Sequence, residues 1–545
     1  MPKNNEKKTH HLAIYLIKEN YKAADRIIDD SDCSAPVQIP IDDETDGLLY
    51  IRKTSPKPPR WTLLFRKHLD LRKFEVEGFS AALLIKVESR HYVLTFGQSG
   101  RHLLRTDVYE ERFGLICALN CVDQNTFRTV DIQSLDAIQS QTRIQSGHGT
   151  TPDQFGLDVE QDMLKAVVGE PLSEALGSRM AGSDALSVSV KIELSDIPAL
   201  LKKYLSKFDT PLSPENHDWV NNIFVTKSET TISHLETLLD KKLTSGDLGN
   251  VWLSIPEIID WNRVRGFTYT GDRRRIRSDI SMDTFLKTMD PNERVSLNLL
   301  RERKVFCADE DHNKVGGEWV LFKCLYAEVT HNDTQFILNG GKWFTVDSNF
   351  VARTNRAFDS IPMSSLVLPT YAGGGEGEYN KSVARKFPKL YALLDDTNKI
   401  FHGGGRGQIE VCDLLSADRQ LIHVKRYSRS SVLSHLFSQG LVSGQLLQID
   451  KDFRKKVATK LKSPFNNLIK INRKPTEDKF AIVYAIISSV KSAKLHLPFF
   501  SRVNLNNAVK LLIGFGYGVE LLRIDVDPTH AKLVKDPPAR KRKLL

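Results

Sequence analysis

Long apolar runs are missing from this chain: the longest, such as Leu12 to Ile17 and Ala481 to Ile487, fall far short of the roughly 20 residues a membrane-crossing helix needs. The opening stretch, Met1 to His11, is polar and charged, with neither an apolar core nor a small-residue cleavage pattern. It therefore does not read as a secretory leader. These two absences predict a cytoplasmic protein without a membrane partner. Cysteine is scarce as well, with six residues in 545. Only Cys117 and Cys121 lie close together, inside the apolar segment Phe113 to Val122. Without a second pair at ligand spacing, that pair predicts buried packing, and neither structural zinc nor disulfides are expected. Disorder is excluded by composition, because 41% of residues are hydrophobic and 26% are charged, spread along the whole length. At 545 residues the chain exceeds the size at which a single core keeps growing, so several domains are expected.

What is present is positive charge, and its placement says more than its size. The whole chain carries +10, whereas Arg419 to Lys474 alone holds 13 Lys and Arg against Asp450 and Asp452, a net of +11. Such a concentration suits a polyanion, since each phosphate neutralised releases condensed counterions. Nucleic acid, DNA or RNA, is the expected partner, and Arg426, Arg429, His435, Arg454, Lys455 and Lys456 are candidate contacts. The bland alternative for Asp452 to Lys462 is an ordinary solvated helix face.

Along the chain, residues 11 to 19 read as a strand and Tyr21 to Ile28 as a helix, and Ala81 to Lys86 with Tyr92 to Phe96 read as a hairpin around Ser89-Arg90. Apolar spacings of three and four predict helices over Asp158 to Val168 and Ile197 to Phe208. The Pro-containing Asp209 to Pro214 marks a boundary. Beyond it, helices are expected at Thr231 to Leu239 and Met282 to Thr288, and a β-meander from Trp319 to Val346 with turns at His331 to Thr334 and Asn339-Gly340-Gly341. Between those helices, Asp260 to Asp279 interleaves Trp261, Phe267 and Tyr269 with arginines that include Arg273, Arg274 and Arg275. Aromatic faces beside guanidinium groups are ingredients of single-strand binding; a surface loop carrying a few core aromatics is the simpler reading. The resulting division is an α+β domain over 1–210, a middle domain over 211–370, an α/β domain over 371–530 and a basic tail over 531–545.

In the last third, Glu378 opens a helix whose apolar side is Tyr379, Val383 and Phe387, and Pro388 stops it. A strand over Gln408 to Leu415 carries Asp413 near its end. The next strand, Leu421 to Tyr427, places His423 and Lys425 two apart, hence on one side of the sheet. A helix over Ser431 to Leu447 then sets Ser431, His435 and Gln439 along one face. This order resembles the PD-(D/E)xK nuclease core and implies a mixed α/β, restriction-endonuclease-like sheet flanked by helices. The resemblance implies that Glu378 and Asp413 hold magnesium or manganese, that Lys425 positions or deprotonates the attacking water, and that Gln439 makes a structural or phosphate contact. Where that family has Asp or Glu, this chain has His423, a nitrogen donor better suited to manganese or zinc. The expected metal site, Glu378, Asp413 and His423, is on that account either modified or dead, so the nuclease-like part reads as a metal-dependent endonuclease or as an inactive binding module. The same residues would equally suit an ordinary strand pair with a buried Asp and an exposed Lys.

Phrases spread across the chain, among them Ala81-Ala82-Leu83-Leu84, Leu94-Thr95-Phe96-Gly97, Gly182-Ser183-Asp184-Ala185-Leu186, His423-Val424-Lys425-Arg426 and Leu497-Pro498-Phe499-Phe500-Ser501, resemble a sporadically distributed bacterial family of unknown function. Its patchy occurrence implies defence against phage or mobile DNA, with a homo-oligomer or a defence-system protein as a further partner. A kinase-like reading of the glycine loops at 373–377 and 403–407 lacks G-x-x-x-x-G-K-[ST], H-R-D and D-F-G, and flexible turns explain those loops as well.

Overall fold

Strand β1 (Thr9–Leu16) shows the period that builds the first half of the molecule. Leu12, Ile14 and Leu16 enter one buried cluster while Tyr15 and, just past the strand, Ile17 enter another, so the sheet is covered on both faces. In the computed structural model the described residues are 7–97, 99–105, 107–134, 141–151, 155, 162–213, 220, 222–248, 250–257, 259, 261, 263–290, 292–394, 400–401, 408–427, 430–489, 495 and 497–530. They form two compact units, one of residues 1–133 and 141–221, the other of 134–140 and 222–545.

The first unit is a ten-stranded sheet. It contains β1, β2 (Val37–Pro40), β3 (Asp46–Lys53), β4 (Phe79–Val87), β5 (Arg90–Phe96), β6 (Phe127–Ser134), β7 (Gln141–Thr150), β8 (Asp162–Gly169), β9 (Arg179–Gly182) and β10 (Leu186–Lys191), in the order β2-β3-β4-β5-β1-β10-β9-β8-β6-β7. The helix expected at Tyr21 to Ile28 shrinks to α1 (Ala24–Ile27). Helices α2 (Phe113–Leu119) and α3 (Ile197–Asp209) cover one face with Phe113, Leu115, Leu201 and Tyr204. One expected helix is corrected: the described part of 158–168 is strand β8, and 158–161 lie outside the described residues. Apolar spacings over so short a segment suit either element. Pairing decides, with Val167 and Val168 opposite Gly182 and Ala181 of β9.

Helix α2 crosses β9 and the turn into β10 with no room for a side chain. A methyl on Gly114 would stand 1.9 Å from the Ala185 carbonyl oxygen, and one on Gly182 would stand 2.1 Å from the Gly114 carbonyl oxygen.

The second unit begins with β11 (Ile223–Val225), α4 (Glu229–Ser245), β12 (Val251–Leu253), the hairpin β13 (Gly266–Tyr269) and β14 (Asp272–Arg277), α5 (Met282–Leu286) and α6 (Leu297–Glu302). It continues through β15 (Lys304–Ala308), β16 (Lys314–Val320), α7 (Leu321–Cys324), β17 (Leu325–His331), β18 (Thr334–Asn339), β19 (Lys342–Val346) and α8 (Ser348–Ser360). The meander β17-β18-β19 turns through Asn332-Asp333 and Gly340-Gly341, all at positive φ between 48° and 79°, as the two-residue loops of tight hairpins require.

After α8 come α9 (Glu376–Lys386), β20 (Tyr391–Leu393), the pair β21 (Ile400–Phe401) and β22 (Gln408–Ile409), then β23 (Leu414–Ser416), β24 (Gln420–Arg426), α10 (Ser430–Ile449), α11 (Lys451–Lys460), β25 (Ala481–Ser488), α12 (Phe499–Phe515) and β26 (Gly518–Asp525). The mixed sheet runs β20-β23-β24-β25-β26, with β24, β25 and β26 parallel and β20 and β23 antiparallel. Helices α10 and α12 pack Leu433, Leu436, Phe437, Leu505 and Leu512 against Ile482, Tyr484 and Ile486. Helix α9 packs Tyr379 and Val383 against Ile422, Val424 and Val483 on the other face. The expected mixed α and β architecture, with a C-terminal mixed sheet flanked by helices, is present. Within this unit Glu328 of β17, fully buried, accepts the Phe499 N–H at 3.1 Å and so caps the start of α12.

Helix propensity alone would favour Ala over Gly at position 114 by about 1 kcal/mol. The steric block reverses the sign: we expect Gly114→Ala to destabilise by at least ~2 kcal/mol, read as a lowered urea midpoint. Gly147→Ala, where nothing among the described residues lies within 4 Å, is the control and should leave the midpoint in place. Equal midpoints for the two variants would contradict the close crossing.

Candidate functional site: the open edge of strand β24

Strand β24 is fully paired on one side only. Against β25 it keeps register from Gln420 to Arg426, whereas against β23 it pairs through Leu421 and Ile422 alone. Past Ile422 the outward amides of Val424 and Arg426 face a gap in the sheet, and a buried amide left without an acceptor costs about 1–3 kcal/mol. Two carboxylates fill the gap. Asp413 Oδ2 accepts the Val424 N–H at 2.7 Å, and Glu376 Oε1 accepts the Arg426 N–H at 3.0 Å. Since the amides are two residues apart on an extended strand, the two acceptors are spaced by roughly 7 Å.

The remaining oxygens are engaged as well. Asp413 Oδ1 accepts from the Asn380 amide at 3.1 Å, and Glu376 Oε2 pairs with the Lys425 ammonium at 2.9 Å. Glu376 and Asn380 stand four apart on α9, so one helix face supplies both to the strand edge. The Asp413 N–H bonds to the Ile422 carbonyl at 3.0 Å although Leu414 is the register partner of Ile422. That bond holds the residue just before β23 against β24.

The structure thus brings Asp413 and Lys425 to this edge, and leaves the other expected residues elsewhere. Glu378 is exposed and its Oε2 accepts the Gly375 N–H at 3.0 Å, closing the first turn of α9. His423 alternates with Ile422 and Val424, so it faces the α10 side, away from Asn380. It is buried beside the Tyr484 ring, 6.0 Å between centroids, and its Nε2 finds no hydrogen-bond partner among the described residues. Burial alone pushes its pKa down to about 4, so the ring is neutral at physiological pH. Gln439 donates to Glu410 Oε2 at 2.7 Å, joining α10 to the segment before β23.

These residues do not fit a divalent ion. Asp413 and Glu376 already accept amide and ammonium donors, Glu378 caps its own helix, and His423 lies across the sheet. Among the described residues no group of three His, Cys, Asp or Glu is placed to hold a metal.

The basic residues divide in the same manner. Arg454 is buried, donating to the Leu447, Gln448 and Ile471 carbonyls at 2.9, 3.2 and 3.0 Å, and so closes the last turn of α10. It is no surface contact. Lys455, Lys456 and His435 are exposed, Arg426 is half-buried, and Arg429 lies outside the described residues, as do 403–407. In the second unit's hairpin, Phe267 and Tyr269 are buried in the core and cannot stack on bases, which corrects the single-strand reading for those two rings. Arg273 lies over the Phe306 ring at 3.7 Å, while Arg274 and Arg275 are exposed.

Sequence reasoning missed Glu376, Asn380 and Glu410. The signal for the first two was the i, i+4 spacing, hidden because the helix starts at Glu376 and not at Glu378. Comparison with family models shows that the chain belongs to the DUF6119 family, a family of unknown function, matched over residues 12–525. Comparison with curated proteins and with solved structures finds no match.

Because the folded-state pKa of His423 is depressed from 6.5 to about 4, its contribution to stability is present above pH 6.5 and is lost as pH falls towards 4. The shift corresponds to roughly 3 kcal/mol. His423→Gln, which cannot titrate, should flatten that part of the pH dependence when urea midpoints are compared at pH 7 and pH 4.5. A pH dependence unchanged by the substitution would contradict the buried neutral ring.

Proposed function

We propose that this DUF6119 chain is a nucleic-acid-binding protein whose C-terminal α/β part works as a binding scaffold and not as a metal-dependent cutting site. The observation that carries the reading is the contrast between the strand edge and the basic segment. At the edge, Glu376 and Asp413 are turned inward onto backbone amides, while in the segment Lys451, Lys455, Lys456, Lys460, Lys462 and Lys474 are exposed. Helix α11 buries Phe453, Arg454 and Val457 and leaves its lysines outside. Asp450, one of the segment's two acids, is used as its N-cap, accepting the Phe453 N–H at 2.9 Å. A surface of that kind binds by counterion release, with sequence-tolerant affinity.

A second reading, a metal-dependent nuclease using magnesium or manganese, draws support from element order. Helix α9, the sheet strands β20, β23 and β24 with the β21–β22 pair inserted among them, helix α10 and, beyond α11, the parallel strand β25 come in the order of a PD-(D/E)xK core, with Asp413 just before β23 and Lys425 on β24. The commitments of Asp413 and Glu376 favour the binding reading. A role in the bacterial cytoplasm, in defence against phage or mobile DNA, is compatible with either.

The test is the salt dependence of binding to labelled single-stranded DNA, duplex DNA and RNA, followed by fluorescence anisotropy. Lys455→Ala/Lys456→Ala should weaken binding to every ligand the protein holds. It should also reduce the slope of log K against log salt by about 2, near 0.9 per lost phosphate contact. An unaltered slope, or no binding to any of the three at low salt, would overturn the proposal.

A further inference from the structure

The excursion between β3 and β4 is built unlike the rest of the first unit. Its base is pinched: Thr54 and Gly78 exchange backbone and hydroxyl hydrogen bonds at 2.9 to 3.1 Å, and Lys57 and Val76 form an isolated bridge above them. Two short helical turns, Arg60–Phe65 and Leu71–Phe74, make a head. Inside it the Trp61 ring meets Phe65 and Phe74 edge-on, at 6.2 and 5.8 Å, and Thr62 is buried with its hydroxyl on the Pro59 carbonyl at 2.7 Å. The head has internal order.

Its outer surface is nevertheless apolar. Leu64 is 82% exposed, Val76 63%, Trp61 57% and Leu63 52%. In sequence, the run from Trp61 to Phe65 is bracketed by Lys57 and Arg60 before it and by Arg66 and Lys67 after it, with no Asp or Glu between Asp46 and Asp70. Apolar side chains grouped in the open mark a contact surface, and the flanking cations say what kind.

We infer that this head docks on an anionic lipid surface, placing Trp61, Leu63, Leu64 and Phe65 among the headgroups and acyl-chain ends while Lys57, Arg66 and Lys67 meet lipid phosphates. The most exposed side chain is aliphatic; it has no π face for a nucleobase, but gains transfer free energy in lipid. An indole with its amphipathic ring suits the headgroup depth, and flanking cations are drawn to anionic leaflets. A second copy of the same head would oppose like charges across the contact. Among the described residues no helix is long and apolar enough to cross a membrane, and surface docking requires none. The inference is independent of the nucleic-acid proposal, which rests on α11.

The experiment is flotation of the full-length chain with vesicles of phosphatidylcholine alone and of phosphatidylcholine with phosphatidylglycerol, together with the emission of Trp61 isolated by a Trp61→Phe comparison. Expected are at least tenfold stronger binding to the anionic vesicles, a blue shift of the Trp61 component, and loss of both in Leu64→Glu. Arg66→Glu/Lys67→Glu should weaken binding on the order of tenfold or more. Since Leu64 touches solvent, its replacement is expected to leave the thermal midpoint in place, and a lowered midpoint would shift the comparison to Leu64→Ser. Absence of vesicle binding would overturn the inference. So would binding that survives Leu64→Glu but is lost in Lys455→Ala/Lys456→Ala, a Trp61 response to single-stranded DNA and not to vesicles, or self-association that Leu64→Glu abolishes.

Discussion

Beyond Ile422 the central strand of the C-terminal sheet loses its neighbour, and two carboxylates take that neighbour's place. Asp413 and Glu376 accept the amides a third strand would have accepted, and each is fixed a second time, by Asn380 and by Lys425. A charged acceptor on a backbone amide makes a shorter and stronger bond than a carbonyl does. The arrangement therefore closes the edge, joins α9 to the sheet, and holds the first residue of α9 against the last residue of β24. Of the two acids, Asp413 alone was an expected metal ligand, and both of its oxygens are engaged by Val424 and Asn380.

How much of this was legible follows from what kind of signal each feature sends. Elements fixed by period were readable: the strand pair expected around Ser89-Arg90, whose turn falls one residue earlier, the helix from Ile197, the hairpin turns at Asn332-Asp333 and Gly340-Gly341, and the strand carrying His423 and Lys425. The segment reading as a helix from Asp158 failed because apolar spacing over a few turns does not separate helix from strand, and pairing with β9, the next strand along the chain, settled it. Two residues at alternate strand positions share a face, which is why the sequence reads His423 and Lys425 as neighbours on one side. Nothing in the sequence said that the long Lys425 side chain would leave that side for Glu376 at the strand's end.

The candidate site was legible as a region and not as a set of contacts. Glu378 and Glu376 are equally acidic and two residues apart; which one meets the strand depends on where the helix begins. Arg454 reads like its neighbours Lys455 and Lys456, yet it faces inward and ties the end of α10 to Ile471. Guanidinium groups serve carbonyls in that role better than ammonium groups do, because their donors fan out in a plane. Charge counted along a sequence overstates the charge available to a ligand, and burial tells the two apart.

The central claim is that the carboxylates at the β24 edge are structural. The most direct measurement incubates the purified chain with end-labelled single-stranded DNA, duplex DNA and RNA in manganese or magnesium, and resolves the products by length under denaturing conditions. The account requires every label to remain at full length, in the wild type as in Asp413→Asn and Lys425→Ala. Fragments that accumulate with the wild type in metal, and disappear in both variants, would contradict it.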